Sequence, residues 1–220
     1  MILLNIDTAN QPLSVSVTDD VEVLAEFNSA KKINHSVTLM PMIEKILQHA
    51  DLDTEALEGI TVSSGPGSYT GLRIGVTVAK TLAYTLGIPL YSVSSLKVLA
   101  ATARMDEILL VPVIDARRKA VYSGIYRFKG RHIEQIEQDR YMTIEELNDY
   151  LKQQHMPYLF IGMDAVKLEE DLKGPVFYCI PRSSEMRHIV DFNQPEDIHR
   201  FEPTYLRMTE AERNWLKQQD

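Results

Sequence analysis

Apolar and polar positions alternate at the start of the chain and then change period. Residues 2–7 are mostly apolar and end at Thr8-Ala9-Asn10, a turn composition. Residues 13–18 alternate apolar and hydroxyl side chains, the period of a half-buried strand. Asp19-Asp20 turns the chain into a third apolar run, 21–27, so the first three elements read as an antiparallel meander. Leu39, Met40, Ile43, Ile46, Leu47 and Ala50 then recur at helical spacing and predict a helix over 36–50. Proline is tolerated near a helix start and breaks an interior, so Pro41 moves the expected start a few residues beyond Ser36. A β-branched run, 60–64, ends at Gly65. A second long helix is expected over 70–86, closed by Gly87. Residues 89–93 read as a strand, and Ser94 or Ser95 caps a helix to about 103.

The order then restarts. Residues 108–115 read as a strand, and 121–127 with 132–138 flank a hairpin turn at Phe128-Lys129-Gly130-Arg131. Thr143-Ile144-Glu145-Glu146 is a capping box opening a helix to about 153. Strands are expected at 158–162 and 176–180, and helices at 184–192 and 209–219. Element order thus repeats with a break near 103–107, without a residue-level repeat between the halves. The expected division is 1–103 and 104–220, with the last helix packing back on the first half.

A chain of 220 residues fits one large domain or two smaller units. Its formal net charge of −8 argues against tight nucleic-acid binding by the chain alone, since such binding rests on Lys and Arg neutralising phosphates. The single cysteine, Cys179, leaves no internal disulfide and suits a reducing compartment. No leader pattern and no run of ~20 apolar residues is present, so the expected setting is the cytoplasm, with no membrane association.

Catalytic templates match poorly. No two of His35, His49, His132, His155, His188 and His199 lie three or four apart, and the position one turn after His35 is Leu39, so a zinc-hydrolase pair is not formed. His35 reads instead as a helix-start residue bonding local backbone. Asp51-Leu52-Asp53 opens like a calcium loop, but Ala56 and Val62 stand where glycine and glutamate are required. The segment from Gly65 to Gly75 fits neither a Walker loop, because Leu72 follows Gly71, nor a dinucleotide loop, because Gly71 lies four after Gly67. It still joins a strand to a helix, so Gly67, Ser68 and Thr70 are candidate anion contacts beside a structural-turn reading. Asp7 is a candidate acid of a phosphate hairpin. The glycine such hairpins carry is missing from Thr8-Ala9-Asn10, which favours a turn role.

Gly71, Gly75, Ala79 and Ala83 form one ridge along the second helix. Each interior glycine costs ~1 kcal/mol against alanine, which calls for close approach of another backbone. Apolar residues fill about 200° of the helical wheel, beyond the ~100° a surface helix needs. That width predicts burial on two sides, against the chain's own sheet and against another helix, either within the chain or across a subunit interface.

Gly65-Pro66-Gly67-Ser68-Tyr69-Thr70-Gly71-Leu72-Arg73-Ile74-Gly75 resembles the signature of the TsaB family, with Tyr69 in place of phenylalanine. Ile6-Asp7-Thr8, His35-Ser36 with Leu39 and Pro41, Ser94-Ser95-Leu96, Asp115-Ala116-Arg117-Arg118 with Val121-Tyr122, and Pro203-Thr204-Tyr205-Leu206-Arg207 are similar to further family motifs. The resemblance spans nearly the whole chain. It implies an α/β, actin-like ATPase (ASKHA, RNase H-like) fold of two related subdomains, the C-terminal one reduced. It implies a non-catalytic subunit for threonylcarbamoyl transfer to a tRNA adenosine, acting by binding and stabilising the catalytic relative TsaD. It further implies the ATPase TsaE as a partner, a homodimer when the partner is absent, and tRNA contact only through the complex. No cofactor is expected in this chain; ATP and a divalent metal are expected in the partner subunits. The implied partner interface lies on the two long helices, with His35, Leu39, Ile43, Gly71, Gly75, Ala79 and Ala83 as its candidate residues. Two other classes stay open on the residues: a metal-dependent peptidase or acyltransferase, and a weak actin-like nucleotide-binding ATPase.

Overall fold

The computed structural model describes residues 1–207, so the helix expected at 209–219 lies outside the described residues. Among the described residues, ten strands form two five-stranded sheets. The first contains β1 (Leu3–Asp7), β2 (Leu13–Thr18), β3 (Val23–Ser29), β4 (Gly59–Gly65) and β5 (Leu90–Ser94), in the order β3-β2-β1-β4-β5. β2 runs antiparallel to β1 and β3, while β4 runs parallel to β1 and β5. The second contains β6 (Leu109–Asp115), β7 (Ala120–Lys129), β8 (His132–Thr143), β9 (Tyr158–Ile161) and β10 (Val176–Phe177), in the order β8-β7-β6-β9-β10. Its directions repeat those of the first sheet strand for strand. Two copies of this three-antiparallel, two-parallel unit make the α/β, actin-like fold.

The helical cover differs between the units. α1 (His35–His49) and α2 (Tyr69–Leu86) run 15 and 18 residues in the first. Their counterparts α4 (Ile144–Lys152) and α5 (Met163–Lys167) run 9 and 5. α3 (Ser95–Ala103) follows β5 and packs Leu96, Val98 and Leu99 into a core shared with Leu110, Ile114, Tyr126 and Ile161 of the second unit. The C-terminal unit is therefore the reduced one.

α1 begins at His35, not beyond Ser36. The Asn34 side chain accepts the Ser36 N–H, which satisfies a first-turn donor and fixes the start. Pro41 sits inside the helix, where it removes the bond to the Val37 carbonyl one turn back. Pro41 and Val37 are both on the exposed side, where the freed carbonyl is open to solvent and the lost bond costs least. The helix expected at 184–192 is a 3-10 turn at Ser183–His188. Its leading N–H groups are spent elsewhere: Ser183 donates to Ser14 Oγ at 2.7 Å and Ser184 donates to the Glu26 carboxylate. α5 was not expected; five residues are too few to show a helical period.

Both faces of the first sheet are buried, with different chemistry. Leu4, Ile6, Val15, Val17, Ile60 and Val62 face Leu39, Ile43, Val76 and Ala79 of α1 and α2. The alternate positions Asn5, Asp7, Ser14, Ser16, Thr61 and Ser63 are polar and buried. Buried polar groups need partners, and these have them. Asn5 accepts from Thr61 Oγ1 and donates to Ser16 and Thr18. Ser183 Oγ donates to Ser16 Oγ at 2.9 Å. The segment after β10 thus covers the polar face and ties the two units together.

Candidate docking face and interdomain cleft

The units repeat each other where chemistry would be expected. β1 ends in Ile6-Asp7 and β6 ends in Ile114-Asp115. Asp7 Oδ1 accepts the Ala9 N–H at 3.0 Å, and Asp115 Oδ1 accepts the Arg117 N–H at 2.7 Å, the same side-chain turn two residues on. β4 ends at Gly65 with φ 123°, and β9 runs into Gly162 with φ 121°. Only glycine occupies that backbone region without strain.

The two turns meet across a cleft of about 330 Å³ lined by Asn10, Gln11, Gly67 and Ser68 from the first unit and by Asp115, Arg117, Asp164 and Lys167 from the second. Arg117, Arg118 and Lys119 hold φ of 67°, 56° and 56°. Three consecutive non-glycine residues in the left-handed region cost roughly 1 kcal/mol or more each, a strain that concentrates at functional sites. The turn sets Arg117 at the cleft, with its guanidinium 3.5 Å from Asp115, while Lys119 pairs with Asp171 at 3.1 Å.

The predicted anion contacts separate in space. Gly67 and Ser68 line the cleft; Thr70 lines a separate groove, with Ser36 of α1 and Arg73, Ile74 and Thr77 of α2. Ser68 is already engaged: its N–H donates to Ala9 O at 2.6 Å, and its side chain caps α2 by accepting the Gly71 N–H. Asp7 is buried and takes both its bonds internally, from Ala9 N and from Ser63 Oγ at 2.6 Å. Burial pushes its carboxyl above the ordinary value, against the opposing pull of Ser63, Ala9 and the His35 charge. Asp7 therefore acts as a turn-fixing acid inside the fold. His35 is the first residue of α1, as expected, but the backbone its ring reaches is not local: Nε2 lies 3.3 Å from the carbonyl of Gln11, in the β1–β2 turn.

The glycine ridge has a different neighbour from the one its spacing suggested. A Cβ on Gly67 would lie 2.1 Å from Ala9 O, on Gly71 2.2 Å from Thr8 O, and on Gly75 2.2 Å from Thr8 Oγ1. Thr8 Oγ1 in turn donates to Gly71 O at 2.7 Å. The close approach is by the β1–β2 turn, not by a second helix. Ala79 and Ala83 are 0% exposed, and Gly71, Gly75, Leu39 and Ile43 are also buried inside the chain. These six candidate interface residues build the unit's own core, because the wide apolar arc wraps the sheet and the turn at its strand ends.

What α1 and α2 offer outward is another set. Ser36, Tyr69, Arg73, Ile74, Thr77 and Val78 line an open groove of about 380 Å³. Beside it Val37 is 66% exposed and Met40 47%. Large apolar side chains clustered at a surface mark an interaction site more often than scattered ones do. The C-terminal strap borders this face. Thr204 N–H donates to Ser64 O at 2.7 Å, and Arg73 stacks over Tyr69 and donates to Tyr205 Oη. Arg207 then reaches back to donate to Ala116 O at 3.2 Å. The strap so joins the signature loop to the turn at the cleft. Its tyrosine and arginine were visible in the sequence, their contacts were not.

Among the described residues, no three His, Cys, Asp or Glu side chains gather within reach of a common metal ion.

Two units of one sheet plan around a polar cleft define a two-lobed α/β protein with an actin-like fold. A family model described as "TsaD: tRNA N6-adenosine threonylcarbamoyltransferase" matches residues 22–171. The chain is 39% identical to the tRNA threonylcarbamoyladenosine biosynthesis protein TsaB of Bacillus subtilis (strain 168), over 100% of both chains. It is 33% identical to the protein of the same name from Escherichia coli (strain K12), over 58% of this chain and 55% of that one. The solved structure of YeaZ from Pseudomonas aeruginosa superposes with a TM-score of 0.78 at 23% identity, covering 93% of this chain and 99% of that one, and it shows the shared fold. The chain belongs to the TsaB family.

Proposed function

We propose that this chain is a non-catalytic subunit for threonylcarbamoyl transfer to a tRNA adenosine, and that it acts by docking on TsaD and stabilising its competent conformation. Membership of the TsaB family carries the role in tRNA threonylcarbamoyladenosine biosynthesis. The observation that carries the docking reading is the open apolar groove on α1 and α2, bordered by Val37 and Met40. A groove of this kind fits an apolar helix face of a partner, whose side-chain ridges would pack between those of α1 and α2. The same face, in the absence of TsaD, takes a second copy of this chain.

TsaE joins at the assembled pair, and tRNA is held through the complex, since the chain's net negative charge does not favour RNA binding alone. ATP and a divalent metal belong to the partner subunits, and the setting is the cytoplasm. Asp7, the residue placed best for phosphate chemistry by its position at a strand end, has both carboxylate oxygens committed to Ala9 and Ser63, which supports the non-catalytic role.

The test is co-purification of TsaD with the native chain and with a Val37→Glu, Met40→Glu double variant, followed by an assay for modified tRNA. The expected result is capture and modification with the native chain and loss of both with the variant. TsaD that modifies tRNA fully without this chain contradicts the proposal.

A further inference from the structure

On the side of the molecule away from α1 and α2, the C-terminal end of α3, the β7–β8 hairpin and the Ser183–His188 turn enclose a pocket of about 350 Å³. Ala101, Arg104, Phe128, Arg131, Glu185, His188 and Ile189 line it. None of these residues belongs to the docking groove or to the interdomain cleft. We propose that this pocket binds a phosphate group, gripped by the Arg104 and Arg131 guanidiniums with His188 as a further donor.

Charge pairing is the first argument. In a chain with a net charge of −8, arginines have acids to choose from. Arg127, Arg140, Arg182 and Arg200 each take one. Arg104 and Arg131 form no ion pair among the described residues, and both line this pocket. Arg104 lies with its guanidinium 5.8 Å from the centre of the Phe128 ring, an arrangement that leaves its donor edge available. A planar guanidinium presents a fork of N–H donors that matches phosphate oxygens in pairs.

Backbone geometry is the second. Arg104 ends α3 at φ 25° and ψ 83°, in the left-handed region, at a cost of roughly 1 kcal/mol or more. Arg131 follows Gly130 at the hairpin tip, where φ of 61° makes the tight turn. Two separate strained or tight turns bring the two guanidiniums to one concavity.

The opposing charges are few. Among the described residues, Glu185 is the single carboxylate in the lining, set against two guanidiniums. The α3 C-terminus adds about half a negative charge, which the arginines exceed. The apolar wall of Ala101, Phe128 and Ile189 suits the organic body of a phosphorylated ligand. Burial and the nearby Arg187, Arg104 and Arg131 hold the His188 imidazole below its ordinary value, with Glu185 opposing them. An anion bound between the arginines reverses that pull, so His188 reports occupancy.

The experiment titrates the His188 ring by NMR in the full chain, alone and with inorganic phosphate, ATP or a short single-stranded RNA. The expected result is a rise of the His188 pKa by about one unit at saturation with phosphate. Arg131→Glu and, separately, Arg104→Gln should remove the rise. Arg131 is exposed at a hairpin tip, so its variant keeps the fold, which an amide spectrum checks. Stronger response to ATP than to RNA makes a nucleotide the source of the phosphate, and the reverse makes it an RNA backbone. A His188 titration that none of the three probes moves, or a rise that survives in both variants, overturns the proposal.

Discussion

The two units share one sheet plan and differ in how they leave it. In the first, Pro66-Gly67-Ser68 separates Gly65 from an 18-residue helix. In the second, Gly162 is itself the cap of a five-residue helix. The extra loop lets α2 start beside the β1–β2 turn, and glycines at 67, 71 and 75 allow the contact. The second unit has no such ridge; there Asp164, in the first turn of α5, accepts the Asp115 N–H at 3.0 Å and holds the turn through a side chain. Long helices in one copy leave an exposed groove on their outward face, while the shortened copy keeps its side of the cleft.

Breaking the ridge gives the largest effect. Gly71→Val drives a side chain into Thr8 O and should lower stability by ~3 kcal/mol in urea unfolding. Gly87→Ala, at φ 66° with open space around it, should cost only about 1 kcal/mol. Equal losses at the two positions would remove the close-approach account of the ridge.

The contact between units comes next. Glu26 of β3 accepts from Arg182, from Ser184 Oγ and from Ser184 N–H. Burial raises its carboxyl, but those bonds outweigh burial and hold it below the ordinary value. A depressed acid contributes stability above its unfolded value near 4.5, and that part is lost as pH falls through the folded value. Glu26→Gln should cost about 1 kcal/mol at neutral pH and flatten the acid limb of a stability–pH curve. An unchanged limb would mean that the tie between the units lies elsewhere.

Asp7 and Asp115 sharpen the comparison at matching positions. Burial raises Asp7, so the folded state binds its proton more tightly than the unfolded chain does. Stability then falls as pH rises from about 4 through that raised value. Asp7→Asn should remove this slope, whereas Asp115→Asn, open to the cleft, should change stability by under ~0.5 kcal/mol. Identical pH curves for Asp7→Asn and the native chain would count against the buried, internally bonded role.

Much of this was legible in the chain. The strands of the first sheet, both long helices, Gly87 as the helix stop and the Thr143–Glu146 box follow from period and capping, which are local. The twofold element order was legible too, though its residue-level traces are as short as Ile-Asp at 6–7 and 114–115. Contacts between distant segments were not. The spacing of Gly71 and Gly75 required a close neighbour but could not name the Thr8 turn. The strands holding Ser14 and Ser16 did not reveal that Ser183 would spend its N–H on the first and its hydroxyl on the second, where a 3-10 segment replaces the expected helix. Met40 belonged to the helical pattern and Val37 did not, and only the packing showed that α1 leaves both outside.

The docking face carries the central claim, and association with TsaD tests it most directly. The affinity of purified TsaD for the native chain should fall by about a hundredfold or more in the Val37→Glu, Met40→Glu variant, whose unfolding free energy stays within ~1 kcal/mol of the native value. Unchanged affinity in a variant that keeps its fold would contradict the account.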